Sequence, residues 1–484
     1  MSSATSNKNM IYYIHIAVYL IITFGVGFLK PFGQITELGM DVLGVFIGVI
    51  YGWIFLGLTW PSIFTLFALA VVGYGNISAL FSSGISYYVI PITLLGFMFA
   101  AAAGKTGLNT WFGEWLMSLK IIVGRPYALI LVLLLGMEML TMMNAGYVGL
   151  FMVWGIAVSI AEQAGLPKRN PFICFMIPAI LVIFVMSGFI LPFLPSSVMY
   201  MSFFTQGMGT AIPELPYMIW QLIIVNCYVL VVMAAAKFVF RIDMSAIKVA
   251  LESYEGKKCP KMDKYQRFGF IVLVAFLASM ISSMILPATW PIIAVIKKLG
   301  VLGMMCLFMV IFFCYRKEDG THLVTVNDAA NGIGWDVVWL LIATTPLAAA
   351  FQAEACGILP TIMGTLTPML MGMSPAIFII ACSFFIGVGS QFIHNLILIV
   401  VFVPLLVPMC AQMGGNPYAC YLAIYAAAQA AYMTPAASMT AAFYFGHPSL
   451  EPRDGYINGA MHFVLSLLVV YVIGLPAANI LFPV

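Results

Sequence analysis

Gly389-Ser390-Gln391-Phe392-Ile393-His394-Asn395 interrupts one long apolar stretch, and Thr141-Met142-Met143-Asn144-Ala145-Gly146 interrupts another. Each is short, polar and glycine-containing, with hydrophobic residues on both sides. Polar groups this deep in apolar sequence are costly in lipid. An asparagine among small residues can end one half-helix and open the next. That leaves free N–H groups and a positive dipole end near the middle of the bilayer. An anion can dock there without a buried lysine. The alternative for each Asn is a tie between helices, worth about 0.6 kcal/mol. Its recurrence at corresponding positions in two halves of the chain favours a site.

The surrounding sequence sets both interruptions in a membrane. Of 484 residues, 63% are hydrophobic and 8% charged, at a mean hydropathy of +1.08; soluble domains carry about 25% charged residues. A hydrocarbon core of about 30 Å takes roughly 20 apolar residues per helix, and such stretches recur along the chain. Apolar runs without strand alternation select helices. Residues 11–29 read as a first retained helix, since no A-x-A-like cleavage site follows. The formal charge of +3 implies no nucleic-acid partner. Eight of the 20 Lys and Arg fall between Lys237 and Arg267, which predicts a cytoplasmic loop. The nine cysteines are scattered, without a C-x-x-C spacing or a histidine cluster, so neither a disulfide framework nor a metal site is expected. The 33 methionines follow no metal-binding period and read as packing.

Two halves emerge on comparing the chain with itself. Gly107 and Gly357, Asn144 and Asn395, and Pro167 and Pro417 are spaced alike, while Thr59-Trp60-Pro61 recurs at a shorter offset as Thr289-Trp290-Pro291. The expected fold is an all-α polytopic membrane protein of about eleven transmembrane helices in two inverted repeats, each with a helical hairpin and broken helices. Residues 1–38 form an N-terminal segment and first helix, 39–240 the first repeat, 241–267 the basic cytoplasmic loop and 268–484 the second repeat. An amphipathic stretch runs from Trp111 to Lys120.

Each half also carries a later break: Ser187-Gly188 and Leu194-Pro195-Ser196-Ser197 in the first, Tyr432-Met433-Thr434-Pro435-Ala436-Ala437-Ser438 in the second. Proline removes a helix hydrogen bond and frees a carbonyl. Carbonyls near Gly188 and Met433, beside hydroxyls, are candidate sodium ligands; simple kinks are the alternative.

With these breaks the sequence resembles the divalent anion:sodium symporters, the dicarboxylate/sulfate carriers of the ion transporter superfamily. The family's paired Ser-Asn-Thr motifs fall on Met143-Asn144-Ala145 and His394-Asn395-Leu396, and its Thr-Pro-type breaks on Pro195-Ser196-Ser197 and Thr434-Pro435. The resemblance implies substrate carboxylates and two sodium ions at opposed hairpin tips, a homodimer and elevator-type alternating access at the cell membrane. Both asparagines match; both serines and both threonines are replaced, so dicarboxylate preference and sodium coupling stay open.

Ionisable residues in apolar sequence are candidates for coupling. His394 can pair with a carboxylate, accept a proton, or hydrogen-bond as a neutral ring to a carbonyl. Glu138, six residues before Asn144, is a proton or cation candidate or an interhelical tie. Lys105, Glu354 and Asp336 read as structural. The leading expectation is a secondary carrier of mono- or dicarboxylates in contact with membrane lipid, without a bound cofactor, using Na⁺, H⁺ or exchange. Proton-coupled transport of another anion is the alternative. An intramembrane enzyme would need a nucleophile with its base, paired aspartates or metal ligands, and His15, His322, His394, His447 and His462 make no H-E-x-x-H pattern.

Overall fold

The structure is a computed structural model that describes residues 2–143, 146–252, 258–358, 360–362, 364–365, 373–434 and 437–484. Its helices are α1 (Ser2–Gly25), α2 (Glu37–Phe55), α3 (Thr59–Val71), α4 (Ile77–Ile85), α5 (Val89–Gly104), α6 (Leu108–Leu116), α7 (Pro126–Met142) and α8 (Gly146–Gln163). There follow α9 (Pro171–Ser187), α10 (Pro195–Met208), α11 (Glu214–Ala234), α12 (Ser245–Glu252), α13 (Lys264–Ile285), α14 (Pro291–Cys314), α15 (Val326–Ala330) and α16 (Trp335–Gln352). The last are α17 (Pro375–Gly389), α18 (Asn395–Gln412), α19 (Pro417–Gln429), α20 (Met439–Phe445), α21 (Pro452–Val469) and α22 (Leu475–Leu481).

The chain is thus an all-α polytopic membrane protein. Among the described residues nine helices are long and apolar enough to span, or ten if α4 and α5, bent by 51°, count as one. That agrees with the expectation of about eleven; α7, α9 and α17, at 17, 17 and 15 residues, are shorter apolar helices that belong to the hairpins and breaks.

One sequence of elements occurs twice. α7 and α8 form a hairpin, and both arms pack on α9; α17 and α18 form another, and both pack on α19. Each of α9 and α19 breaks and resumes, as α10 and α20, before a long closing helix. Both closing helices contain a π-helical segment, at Ala235–Val239 after α11 and at Val470–Gly474 between α21 and α22. A π turn leaves backbone groups without their usual partners; Trp220 Nε1 donates to Gly474 O at 2.8 Å and ties the two closing helices together.

Local sequence chemistry explains where these helices start. Asn170 accepts from Ile173 N ahead of Pro171, Asn416 accepts from Tyr418 N and Ala419 N ahead of Pro417, and Ser374 accepts from Ile377 N ahead of Pro375. A capping side chain followed by proline at the first helical position satisfies orphan N–H groups and pre-sets φ. The structural counterpart of Pro417 is therefore Pro171, because the cap belongs to the residue before the proline, whereas Pro167 lies in the loop after α8. Asp263 and Gln266 form a capping box that starts α13, so the basic segment 258–263 ends at a defined helix. Trp111 Nε1 donates to Pro260 O at 2.9 Å and pins amphipathic α6 against that segment.

Two ion pairs join distant loops. Lys105 Nζ lies 2.6 Å from an oxygen of Asp328, in keeping with a structural part for Lys105. Arg169 donates to both oxygens of Asp454, at 2.8 and 2.9 Å, a two-toothed geometry that fixes the α8–α9 loop to the start of α21.

Candidate binding cavity

A cavity of about 390 Å³ opens where the breaks of the two halves meet. Thr141, at the end of α7, and Gly146, at the start of α8, reach it from the first hairpin; His394, Asn395 and Leu396 reach it from the second. Gly188, Pro195 and Ser196 come from the α9–α10 break, and Ser438 and Thr440 from the α19–α20 break. Among the described residues, none that lines it is Lys, Arg, Asp or Glu. The groups there that suit an anion belong to the backbone: α8, α10 and α18, of 18, 14 and 18 residues, all begin at the cavity wall. Their first N–H groups lack intrahelical partners, and their dipoles point positive ends at the same space. Gly146, at the start of α8, has φ +57, a left-handed conformation that glycine adopts without strain.

Aromatic rings form much of the wall. Tyr147 packs against Phe184 and Phe443 with centroids 5.5 and 5.4 Å apart, and Phe189 meets Tyr200 edge-on at 5.1 Å.

The second tip is held by a polar network. Asn395 Nδ2 donates to Gln429 Oε1 at 2.5 Å, and Asn395 Oδ1 accepts from Leu396 N at 2.8 Å. Gln391 donates to Gly387 O and Ala430 O and accepts from Met433 N at 2.9 Å. His394 Nδ1 accepts from Leu396 N at 3.3 Å, which a neutral imidazole does and an imidazolium cannot.

Of the residues singled out in the sequence, His394, Asn395, Leu396, Gly188, Pro195 and Ser196 line the cavity. Asn144, Ala145 and Pro435 lie outside the described residues. Ser197 is buried in α10 but does not line the cavity, because the helical turn that brings Ser196 inward carries its neighbour away. Met143, at the end of α7, is likewise outside the lining set. The Thr434 hydroxyl donates to Gln391 O, so Met433 and Thr434 clasp the second tip from behind. Glu138 is 5% exposed and faces α11, where its Oε1 accepts from Asn226 Nδ2 at 3.2 Å. Thr93 on α5 and Gln429 at the end of α19 also line the cavity and were not apparent in the sequence. Gln429 had a signal, as the polar residue of an otherwise apolar helical end just before a break; Thr93 had none.

α5 and α10 approach closely here: a Cβ on Gly96 would stand 2.1 Å from Pro195 Cγ. Gly96→Ala must push α10 away at the cavity rim, and overpacking of this kind costs about 1–3 kcal/mol. The expected result is a lower thermal unfolding midpoint in detergent and weakened uptake, and a midpoint equal to wild type would mean that the two helices are not in this contact.

No family model and no curated protein sequence matches the chain. Among solved structures, the fold is that of a multi-pass membrane protein already seen in a transporter. The crystal structure of the Alcanivorax borkumensis YdaH transporter is similar at a TM-score of 0.60, over 86% of this chain and 90% of that one, with 12% sequence identity. The likeness bears on architecture and does not place the chain in the divalent anion:sodium symporter family.

Proposed function

We propose that the chain is a secondary transporter of small organic anions at the cell membrane, working by alternating access around the cavity. The carrying observation is the convergence of three helix N-termini, drawn from both halves of the chain, on a space without charged side chains. Such a site attracts an anion yet releases it, since no buried cation holds it by direct charge pairing. The likeness to a transporter fold supports the same reading. Elevator-type movement, a homodimer and a cytoplasmic 241–267 loop complete the proposal; they rest on the family resemblance and on the clustering of basic residues.

Proton coupling or exchange is favoured over sodium symport by one observation. The Ser196 hydroxyl donates to Gly188 O at 2.8 Å, and that of Thr434 donates to Gln391 O. Of the carbonyls expected as sodium ligands, Gly188 O thus already holds a hydrogen-bond donor, and the Thr434 hydroxyl turns to the backbone of the second tip.

The test is uptake of labelled small carboxylates into proteoliposomes under a sodium gradient, a pH gradient, or internal counter-substrate. Uptake driven by protons or by internal anion is expected. Uptake that requires sodium would reverse the coupling assignment, and product formation instead of uptake would point to an enzyme.

A further inference from the structure

Two buried polar atoms in the cavity wall have no hydrogen-bond partner: Thr93 Oγ1 and Gln429 Nε2. Their side chains are 1% and 5% exposed. The other serine and threonine hydroxyls at the wall are already engaged, Ser196 on Gly188 O, Thr141 on Met137 O, and Ser438 with Thr440. The orientation of the Gln429 amide follows from its neighbour. Asn395 Oδ1 is taken by Leu396 N, so Asn395 presents Nδ2 to Gln429, and Gln429 must answer with Oε1. Its Nε2 is left on the side of the Tyr200 hydroxyl, and both residues line the cavity. Buried donors without partners are rare in native structures, and a cavity that offers them is built for something that accepts.

We propose that Thr93 and Gln429 hold the head of the transported anion, and that the substrate is a monocarboxylate with an apolar body. This rests on the transporter reading and specifies its site. An O–H and an N–H on different helices can serve the two oxygens of one carboxylate. Neutral donors with helix N-termini suit a single negative charge. The remainder of the substrate meets Tyr147, Phe184 and Phe189, rings that reward an apolar or aromatic body.

The experiment measures uptake of labelled benzoate, butyrate and succinate by proteoliposomes of wild type, Thr93→Val, Thr93→Ser and Gln429→Met. Benzoate and butyrate are expected to enter saturably and in preference to succinate. Thr93→Val and Gln429→Met should each raise KM by about tenfold or more, as for loss of a hydrogen bond to a charged group, with a smaller change in maximal rate. Thr93→Ser keeps the hydroxyl and should keep the wild-type KM; if Gln429→Met fails to fold, the contrast between Val and Ser at Thr93 decides. Wild-type KM in both Val and Met variants would overturn the assignment while leaving a carboxylate transporter. Preference for succinate would overturn the monocarboxylate class. Entry of no carboxylate would overturn the transporter reading and this inference with it.

Discussion

Asn395→Ala is expected to abolish uptake by the reconstituted protein, to below about a tenth of the wild-type rate. The side chain makes two bonds that no alanine can replace, to Gln429 Oε1 and from Leu396 N. Losing the first leaves Gln429 free to rotate at the cavity wall; losing the second leaves Leu396 N with the longer bond to His394 Nδ1, at 3.3 Å. Leaving the buried Gln429 amide oxygen unsatisfied costs about 1–3 kcal/mol. Asn395→Asp sharpens the test. A carboxylate accepts but does not donate, so Gln429 would turn its amide and present Oε1 to the cavity. An anion would then meet an acceptor and a new negative charge, and uptake should fail even though volume is unchanged. Asn144→Ala carries the same expectation from the sequence repeat. Transport rates should be read against the elution profile and thermal midpoint of each variant. More than half of wild-type uptake in Asn395→Ala, from properly folded protein, would remove the second tip from the site.

The second tip was legible because lipid makes polar sequence conspicuous: Gln391, His394 and Asn395 stand out in an apolar run, and polar groups there are costly. The breaks at Gly188 and Pro195 were legible for a related reason, since proline and glycine act on the backbone itself. What sequence spacing could not supply was direction. Ser196 and Ser197 are adjacent, yet one lines the cavity and the other does not. Thr434 resembled a site residue by its place before a proline, but its hydroxyl closes on the backbone of Gln391. Thr93 lies in a helix with nothing in its neighbourhood to mark it, and it gains significance only because α10 and the second hairpin fold against the same space. The spanning helices were legible from length and hydropathy, while the shorter ones were not. Half-helices that meet at a tip need not cross the bilayer, so they escape any rule based on its thickness.

Glu138→Gln is expected to flatten the dependence of uptake on the pH gradient while exchange against internal substrate continues. Glu138 lies in α7, the arm that leads to the first tip, and contacts α11 rather than the cavity. Its Oε1 shares Asn226 Nδ2 with Leu222 O, and its Oε2 is buried without a partner. An ionised carboxylate with one amide donor is poorly served in such surroundings, whereas the acid form places its proton on the unpaired oxygen at much lower cost. Charging Glu138 therefore requires water to reach the α7–α11 contact, and so requires the hairpin arm to shift. Proton binding and the position of the tip are then linked, and each must bias the other to the same degree. Glutamine retains the volume, the neutral state and an oxygen for Asn226, so folding and the anion site should persist. What it cannot do is release a proton. The readout is initial uptake across a series of external pH values at fixed internal pH, alongside counterflow at symmetric pH. A flat first profile with intact counterflow would assign Glu138 to the coupling step. A profile identical to wild type would make it a tie between α7 and α11, and the proton, if one is carried, would have to bind elsewhere.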